Sequence, residues 1–454
     1  MKDTAAQSVL FPDLFSKPLQ VHFSADSLSS DGGLLLLRAR DRRIELTGCL
    51  AAALRETRQH AKIEHSREEQ IRHRVYTLAC GYRDVQQSAA LGHDPLLNLC
   101  CDRPAADPEG LSSQPTLSRF ENSVRRTELY RAGRRMAARI LDNLARTHRR
   151  ARRVWIDLDP TCTPTYGAQQ LTFFNGYYDT YCYLPLVVTV SFDEDPRKYP
   201  VVVLLRGGTA PAMEGVLPML SRLVPALRAR FRHARMWVRA DSAYGYAPLL
   251  DWLDAHGVDY DLGLGSNPVL VKAAAEAMDV VRDIAERQQE TVTFYVETSY
   301  QAQHWPRARR VLIKAEVVHA ADTPLRDNLR FLVTTGTTTP KHGFARYYGH
   351  SDMENVLKQL KDDLALGRFS CSRAAANQWR ALLTLAAFTL VQGLSPSWRV
   401  GGERPQIGTL RLWLLKVAVR VRETTRRIVI EVAEHHPWAD RFRRAAMHLG
   451  AVPI

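Results

Sequence analysis

Two segments of this chain repeat one pattern, Trp155-Ile-Asp-Leu-Asp159 and Trp237-Val-Arg-Ala-Asp241. Alternation predicts a strand in each, with Val154, Ile156 and Leu158 on one side and Trp155, Asp157 and Asp159 on the other. Strands this apolar belong in the middle of an α/β sheet, covered on both faces. Each also delivers a carboxylate at its C-terminal end, where open α/β sheets gather their ligand sites. If the two strands are neighbours in register, Asp157 stands opposite Arg239 and Asp159 opposite Asp241. The first pair neutralises itself. The second sets two like charges together, which a cation would reconcile, so Asp159 is the better ligand candidate and Asp157 a supporting residue.

The surrounding periodicity extends this sheet. Tyr183 to Phe192 and Tyr199 to Leu205 are apolar, β-branched runs separated by the turn Asp193-Glu-Asp-Pro196. An amphipathic helix follows over 212–230, then a strand over 236–241, a helix over 247–255 and a short strand over 260–264. This β-β-β-α-β-α-β order is that of an RNase H-like sheet, whose first and fourth strands are adjacent. A β-rich insertion is predicted at about 266–335, from the runs Thr291–Thr298, Arg310–Val318 and Leu329–Thr335. With 454 residues the chain exceeds one ordinary core. Residues 1–150 read as a helical N-terminal domain: Ser30-Asp31-Gly-Gly33 turns into Leu34–Leu37, and Ile71, Val75 and Leu78 keep helical spacing. Gln114 opens one long helix, capped by Thr116 or Ser118, that runs into the first strand. Residues 401–454 read as a basic helical segment punctuated by Gly401-Gly402 and Pro405. The expected fold class is therefore α/β: an RNase H-like mixed sheet flanked by helices over 151–400, with a β-rich insertion, preceded by a helical N-terminal domain.

A third carboxylate comes from the helix predicted from Ser351. Met353, Val356, Leu357, Leu360 and Leu364 form its apolar stripe, and Glu354, Lys358 and Lys361 share one flank beside it. A Glu–Lys pair four residues apart is commonplace on solvated helices; only together with the two aspartates does it gain weight. Three carboxylates on separate elements suit a pair of hard divalent cations, Mg²⁺ or Mn²⁺, roughly 4 Å apart, working on phosphate. No His/Cys set has zinc spacing, and His435-His436 stands alone before Pro437.

Seven cysteines without a Cys-x-x-Cys pair predict reduced thiols. The first residues lack a secretory segment, and the longest apolar run, Leu382 to Val391, is too short to span a bilayer and contains Thr384 and Thr389. A cytoplasmic, nucleoid-associated protein without a membrane partner is expected. The net charge of +14 calls for a polyanion. Eleven arginines crowd the stretch from Arg125 to Arg153, among them Arg126, Arg134 and Arg135, against only Glu128 and Asp142. Arg411, Lys416 and Arg420 mark a second basic surface. Arginine suits bidentate phosphate contacts, so both stretches are expected to lie on a DNA backbone.

With these residues in place, the chain resembles bacterial insertion-sequence transposases of the DDE superfamily, most closely the insertion-sequence thirteen-eighty family with its group 1 DDE domain. The likeness runs through Ser30-Asp-Gly-Gly-Leu-Leu-Leu-Leu37, Gly81-Tyr-Arg-Asp84, His93-Asp-Pro95, Gln114 to Asn122 and Gly167 to Gly176. It continues in Cys182-Tyr-Leu-Pro185, Leu205-Arg-Gly-Gly208, Arg239-Ala-Asp-Ser242, Asp352-Met-Glu-Asn355 and Thr409-Leu-Arg-Leu412. The resemblance implies a catalytic triad of Asp159, Asp241 and Glu354 holding two Mg²⁺ or Mn²⁺ ions. It implies binding to double-stranded DNA, both inverted-repeat ends and target, and a homodimer in the active complex. Tyr347 and Lys361 would belong to the tyrosine-arginine-glutamate-lysine signature around the last acid. The chain departs from that pattern in four respects. His350 replaces the signature arginine and Ser351 the following glycine; Cys162-Thr163 and Tyr166 replace further acids and a histidine; Gln86-Gln87 replaces an aspartate. An imidazole does not reproduce a guanidinium fork on phosphate. The same triad would also serve a nuclease that releases free hydroxyl ends without joining them, and a copy with a disabled site would bind ends without nicking them.

Overall fold

The sheet is built from strands Arg153–Pro160 (β1), Leu186–Phe192 (β2), Asp195–Leu204 (β3), Arg235–Ala240 (β4), Asp259–Leu264 (β5), Val292–Tyr300 (β6), Arg309–Val318 (β7) and Arg326–Thr334 (β8). The protein is seen here as a computed structural model that describes residues 9–11, 16–17, 19–21, 26–193, 195–319, 324–394 and 404–453; Gly401-Gly402 falls outside them. The chain divides into two compact units, one made of residues 1–43, 58–118 and 390–454, the other of residues 44–57 and 119–389.

The second unit holds the sheet, in the order β6-β7-β8-β5-β4-β1-β2-β3. The strands β3-β2-β1-β4-β5 reproduce the RNase H-like order, with β1 parallel to β4 and β4 parallel to β5. Trp155 pairs with Trp237, Asp157 with Arg239, and Leu158 with Ala240. The register read from the two matched segments is therefore the register of the sheet. Val154, Ile156, Leu158, Val238 and Ala240 are fully buried on one face. On the other, the Trp155 and Trp237 rings pack at 5.4 Å between centroids.

The insertion opens on a helix that its β-rich reading did not include, and its strands join the main sheet. It begins as a helix, Pro268–Gln288, with proline at its start and the Asn267 side chain accepting from the Leu270 N–H. The stripe Met278, Val281 and Ala285 packs on Ala315 and Val317. Its three strands also form no separate sheet, because β8 pairs antiparallel with β5 and carries the main sheet outward. Without β8, β5 would present a bare edge of unpaired N–H and C=O groups.

The expected single helix from Gln114 is two, Gln114–Ser123 and Arg126–Thr147 (α1). The break is chemical: Val124 is buried, and the Glu128 carboxylate reaches back to accept from the Arg125 N–H at 2.9 Å, starting a new helix. Thr116 and Ser118, expected as caps, lie inside the first helix. Along α1 the stripe Leu129, Ala132, Met136, Ile140 and Leu144 is buried, while Arg125, Arg126, Arg134 and Arg135 are exposed.

In the first unit, the segment expected to be helical after 401 contains the strands Val419–Glu423 and Ile428–Val432, which join Leu28–Ser29 in an antiparallel sheet. Val419 and Val421 are buried and Arg420 and Arg422 exposed, a period of two that marks a strand. A helix, Ala439–His448, follows. The Ser30–Gly33 turn needs its glycines: Gly32 N–H donates to the Val417 carbonyl at 2.8 Å, and a Cβ on Gly33 would sit 2.0 Å from the Leu414 carbonyl oxygen. Buried Asp31 takes Lys416 Nζ at 2.7 Å and the Tyr82 hydroxyl at 2.8 Å. Among the described residues, no helix is long and apolar enough to cross a membrane.

Candidate active site

Asp159 is the next-to-last residue of β1 and Asp241 follows β4, each one step past the last residues that pair between these two adjacent parallel strands. The Asp241 carboxylate accepts from the Ala243 N–H at 2.9 Å and so starts the short turn Ser242–Tyr244. Behind that turn runs Gly263 of β5, where a Cβ would lie 2.7 Å from Ser242 N and 3.0 Å from the Asp241 carbonyl carbon. Gly263→Ala is expected to push Asp241 out of place. Overpacking of this kind costs about 1–3 kcal/mol, read by urea unfolding, and should lower any Asp241-dependent rate by more than that loss of folded protein explains. A rate that falls only with stability would show that the turn absorbs the methyl group.

The carboxylates feel one another. Burial pushes the Asp159 carboxyl up to about 7; Asp241, Glu354 and Asp157 add to the rise, while His350 opposes it. Burial also raises Asp241, against the Ala243 N–H and His350. Glu354 is exposed on the helix Asp352–Lys358. Among the described residues no three His, Cys, Asp or Glu side chains close into a set that holds a metal as it stands. The three acids nevertheless share one electrostatic neighbourhood. The donor chemistry fits a hard divalent ion: oxygen ligands only, like charges held together, and a metal that keeps several of its own waters.

One layer below, Asp157 is fully buried. Its oxygens accept from Arg239 Nε at 2.8 Å and Nη2 at 3.1 Å, and from Lys198 Nζ at 2.6 Å. His350 Nδ1 lies 3.3 Å away. Burial alone would raise this carboxyl, but Arg239, Lys198 and the His350 contact outweigh it and hold it well below the usual carboxylate range. The Arg239 guanidinium lies over the Trp155 ring at 4.5 Å and donates to the Arg346 carbonyl at 2.8 Å. The histidine that departs from the signature thus sits against a structural carboxylate.

Sequence reasoning missed two members of this layer. Lys198 opens an apolar run, in which a lysine gives no signal of its own. Arg346, on the helix Pro340–Tyr348 (α2), pairs with Asp261 at 2.5 and 2.7 Å and covers Trp237 at 4.6 Å. Asp261 pairs in register with Arg239, so carrying the strand alignment one strand further would have found it. Burial pushes the Tyr347 phenol up to about 12, with the Asp241 charge adding to the rise.

The helix bearing Glu354 (α3, Asp352–Lys358) buries Met353, Val356 and Leu357, as the stripe requires. It then widens into a π-turn, Gln359–Asp363. The extra residue per turn breaks the expected α-helical phase, so Lys358 is exposed while Lys361 is half-buried.

The basic candidates divide. Arg134 and Arg135 remain exposed on α1, with Arg134 over the Tyr130 ring at 5.7 Å and Arg135 donating to the Ala52 carbonyl. Arg420 is exposed in the first unit. There Lys416 is tied to Asp31 and Tyr82, and Arg411 donates to the Ala79 carbonyl at 2.8 Å.

No curated protein matches the chain. A family model for the transposase DDE domain, group 1, matches residues 11–453. That span takes in the strand ends, the helix with its acid and both basic segments, and the chain belongs to the group 1 family of DDE-domain transposases.

Proposed function

We propose that the protein binds the ends of an insertion sequence, of the thirteen-eighty kind, and catalyses divalent-metal-dependent strand cleavage and transfer through Asp159, Asp241 and Glu354. The observation that carries this reading is the Asp159 carboxyl, half-buried near Asp241 and raised to about 7 with Asp241 and Glu354 contributing. Like charges gathered this way stabilise nothing on their own, and functional sites are where such arrangements persist. Divalent ions bound by these three residues, two Mg²⁺ or Mn²⁺, would supply the charge and the activated oxygen for in-line phosphoryl transfer. Asp241 is held by its own turn, Asp159 by the β1 backbone, and both by the Asp157–Arg239–Lys198 layer beneath. Lys358 stands one turn from Glu354, where it can meet a phosphate of the bound strand.

The test uses the purified chain, Mg²⁺ and duplexes carrying the DNA that flanks its gene. Nicking at the element ends followed by joining to a second duplex supports the proposal. Free hydroxyl ends without joining favour the nuclease, and end binding without nicking a disabled derivative.

Exposed Arg125, Arg126, Arg134 and Arg135, with Arg420 in the first unit, are proposed to contact DNA backbone in a homodimeric end complex. Phosphate contacts release counterions, so affinity should fall steeply with salt. Arg134→Gln with Arg135→Gln should lower the logarithmic salt slope by about 0.9 for each phosphate no longer neutralised. Binding to all sequences should weaken equally. A weakening confined to the element's own ends would make α1 a reader of sequence instead.

A further inference from the structure

Directly after β1 the chain leaves the sheet and forms a small antiparallel one of its own, Thr163–Pro164, Phe173–Asn175 and Thr180–Tyr183, with the last strand in the middle. Its surface is aromatic and open. Tyr177 is 88% exposed, Tyr166 86%, Tyr181 59%, Phe174 48%, Phe173 47% and Tyr178 42%. Between Thr161 and Leu184 the only charged residue is Asp179, in a chain of net charge +14. Contiguous apolar patches on soluble proteins mark binding sites, and this one has no charge with which to hold a phosphate.

The hairpin is held in shape. Asn175 Oδ1 accepts from the Tyr177 and Tyr178 N–H groups at 3.0 and 3.2 Å, and its Nδ2 donates to the Gly208 carbonyl at 2.7 Å. Gln170 N–H donates to the Ser372 carbonyl at 2.9 Å, and Gln169 Nε2 to the Phe369 carbonyl at 2.8 Å. Phe174 meets Tyr181 edge-on at 5.5 Å, and Tyr177 meets Tyr178 at 4.8 Å. The rings are thus presented in fixed orientations, which lowers the ordering cost of binding. Their position is equally defined: the hairpin starts four residues beyond Asp159, and the charges of Asp159 and Asp241 reach the Tyr178 hydroxyl.

We propose that this aromatic hairpin stacks unpaired nucleobases of the DNA strand whose phosphate lies at Asp159 and Asp241, with Tyr177 and Tyr178 as the principal platforms. The inference rests on the transposase reading above, since it takes its ligand from the strand brought to those acids. Every base has a π-face, so rings with no cation in their segment bind bases without reading their sequence. Backbone contacts are left to the arginines. A strand end with bases drawn out of the duplex offers its phosphate at the surface, where two strand-end carboxylates can reach it.

The test measures binding of the full chain, in chelator so that nothing is cut, to a blunt duplex and to the same duplex with a three-nucleotide unpaired tail containing 2-aminopurine. The tail is expected to bind tighter and its fluorescence to be quenched. Tyr177→Leu with Tyr178→Leu should remove the quenching and weaken tailed-duplex binding roughly tenfold, the scale of one stacked base, while blunt-duplex binding moves little. Tyr177→Phe with Tyr178→Phe should retain both, which separates stacking from folding. Quenching that survives in the leucine variant, or equal weakening on both duplexes, overturns the proposal. So does a dimer that the leucine variant turns into a monomer by light scattering, which would assign the patch to a second copy of the chain. If the wild type binds neither duplex, the transposase reading fails with it; if it binds both equally, only the stacking does.

Discussion

Asp241→Ala is expected to bring Mg²⁺-dependent cleavage of element ends below detection while leaving DNA affinity within a few-fold. Asp159→Ala and Glu354→Ala should do the same. The separation follows from the architecture: the acids occupy strand ends and one helix, whereas the exposed arginines proposed to carry affinity lie on α1 and in the first unit. On this proposal each acid would supply oxygen ligands that Asp157 cannot replace, because Asp157 is already committed to Arg239 and Lys198. Without metal, Asp159→Ala should cost no stability, because loss of its charge relieves repulsion from Asp241 and Glu354, whereas Asp241→Ala should cost about 1 kcal/mol with the hydrogen bond that starts its turn. Unfolding curves in chelator are the check on that second half. Cleavage retained by Asp241→Ala would overturn the assignment of the site.

The opposite outcome is expected one layer down. Asp157→Asn should destabilise the second unit by roughly 3–5 kcal/mol, the usual cost of breaking a buried ion pair from one side. Two buried cations depend on that one carboxylate, Arg239 at 2.8 Å and Lys198 at 2.6 Å. An amide can accept one hydrogen bond from either, but it neutralises neither. Trp155 and Trp237, packed on the same face, provide the fluorescence signal for unfolding of this unit. Residual cleavage should fall in proportion to folded protein and no further. A destabilisation below about 1 kcal/mol, of the size of an exposed pair, would mean that solvent reaches the cluster. A variant that stays folded but loses all activity would move Asp157 into the reacting centre.

Both expectations descend from a register that is legible in the chain itself. The alternation around Trp155 and Trp237 identifies two central strands, and matching them residue by residue yields the pairs Asp157–Arg239 and Asp159–Asp241. The apolar stripe Met353, Val356, Leu357, Leu360 and Leu364 likewise announces a helix with Glu354 at its border. These are local facts: hydrophobic period reports which face of an element is covered, and a strand or helix shows its period within a few turns. The Val-Arg-Val-Arg pattern at 419–422 is equally local, a strand period that a run of basic residues disguises as a helical surface.

What the periodicity could not carry is partnership across long stretches of chain. Lys198 reaches Asp157 from β3 and Arg346 reaches Asp261 from α2, and a lone charge in an apolar run does not name its mate. The attachment of β8 to β5 depends on the need to cover an edge, which a strand's own residues do not state. The π-turn at Gln359–Asp363 breaks the helical phase in which Lys361 was placed on the flank of Glu354, and an apolar stripe of α-helical period does not announce it. The aromatic hairpin reads in sequence as scattered tyrosines and phenylalanines. Only the folding of Thr180–Tyr183 back between Thr163–Pro164 and Phe173–Asn175 gathers them on one small sheet directly after the strand that carries Asp159. Sequence by itself determined which residues alternate, which strands match and which acids end them. Tertiary structure decided their partners, because complementarity between distant side chains leaves no local trace.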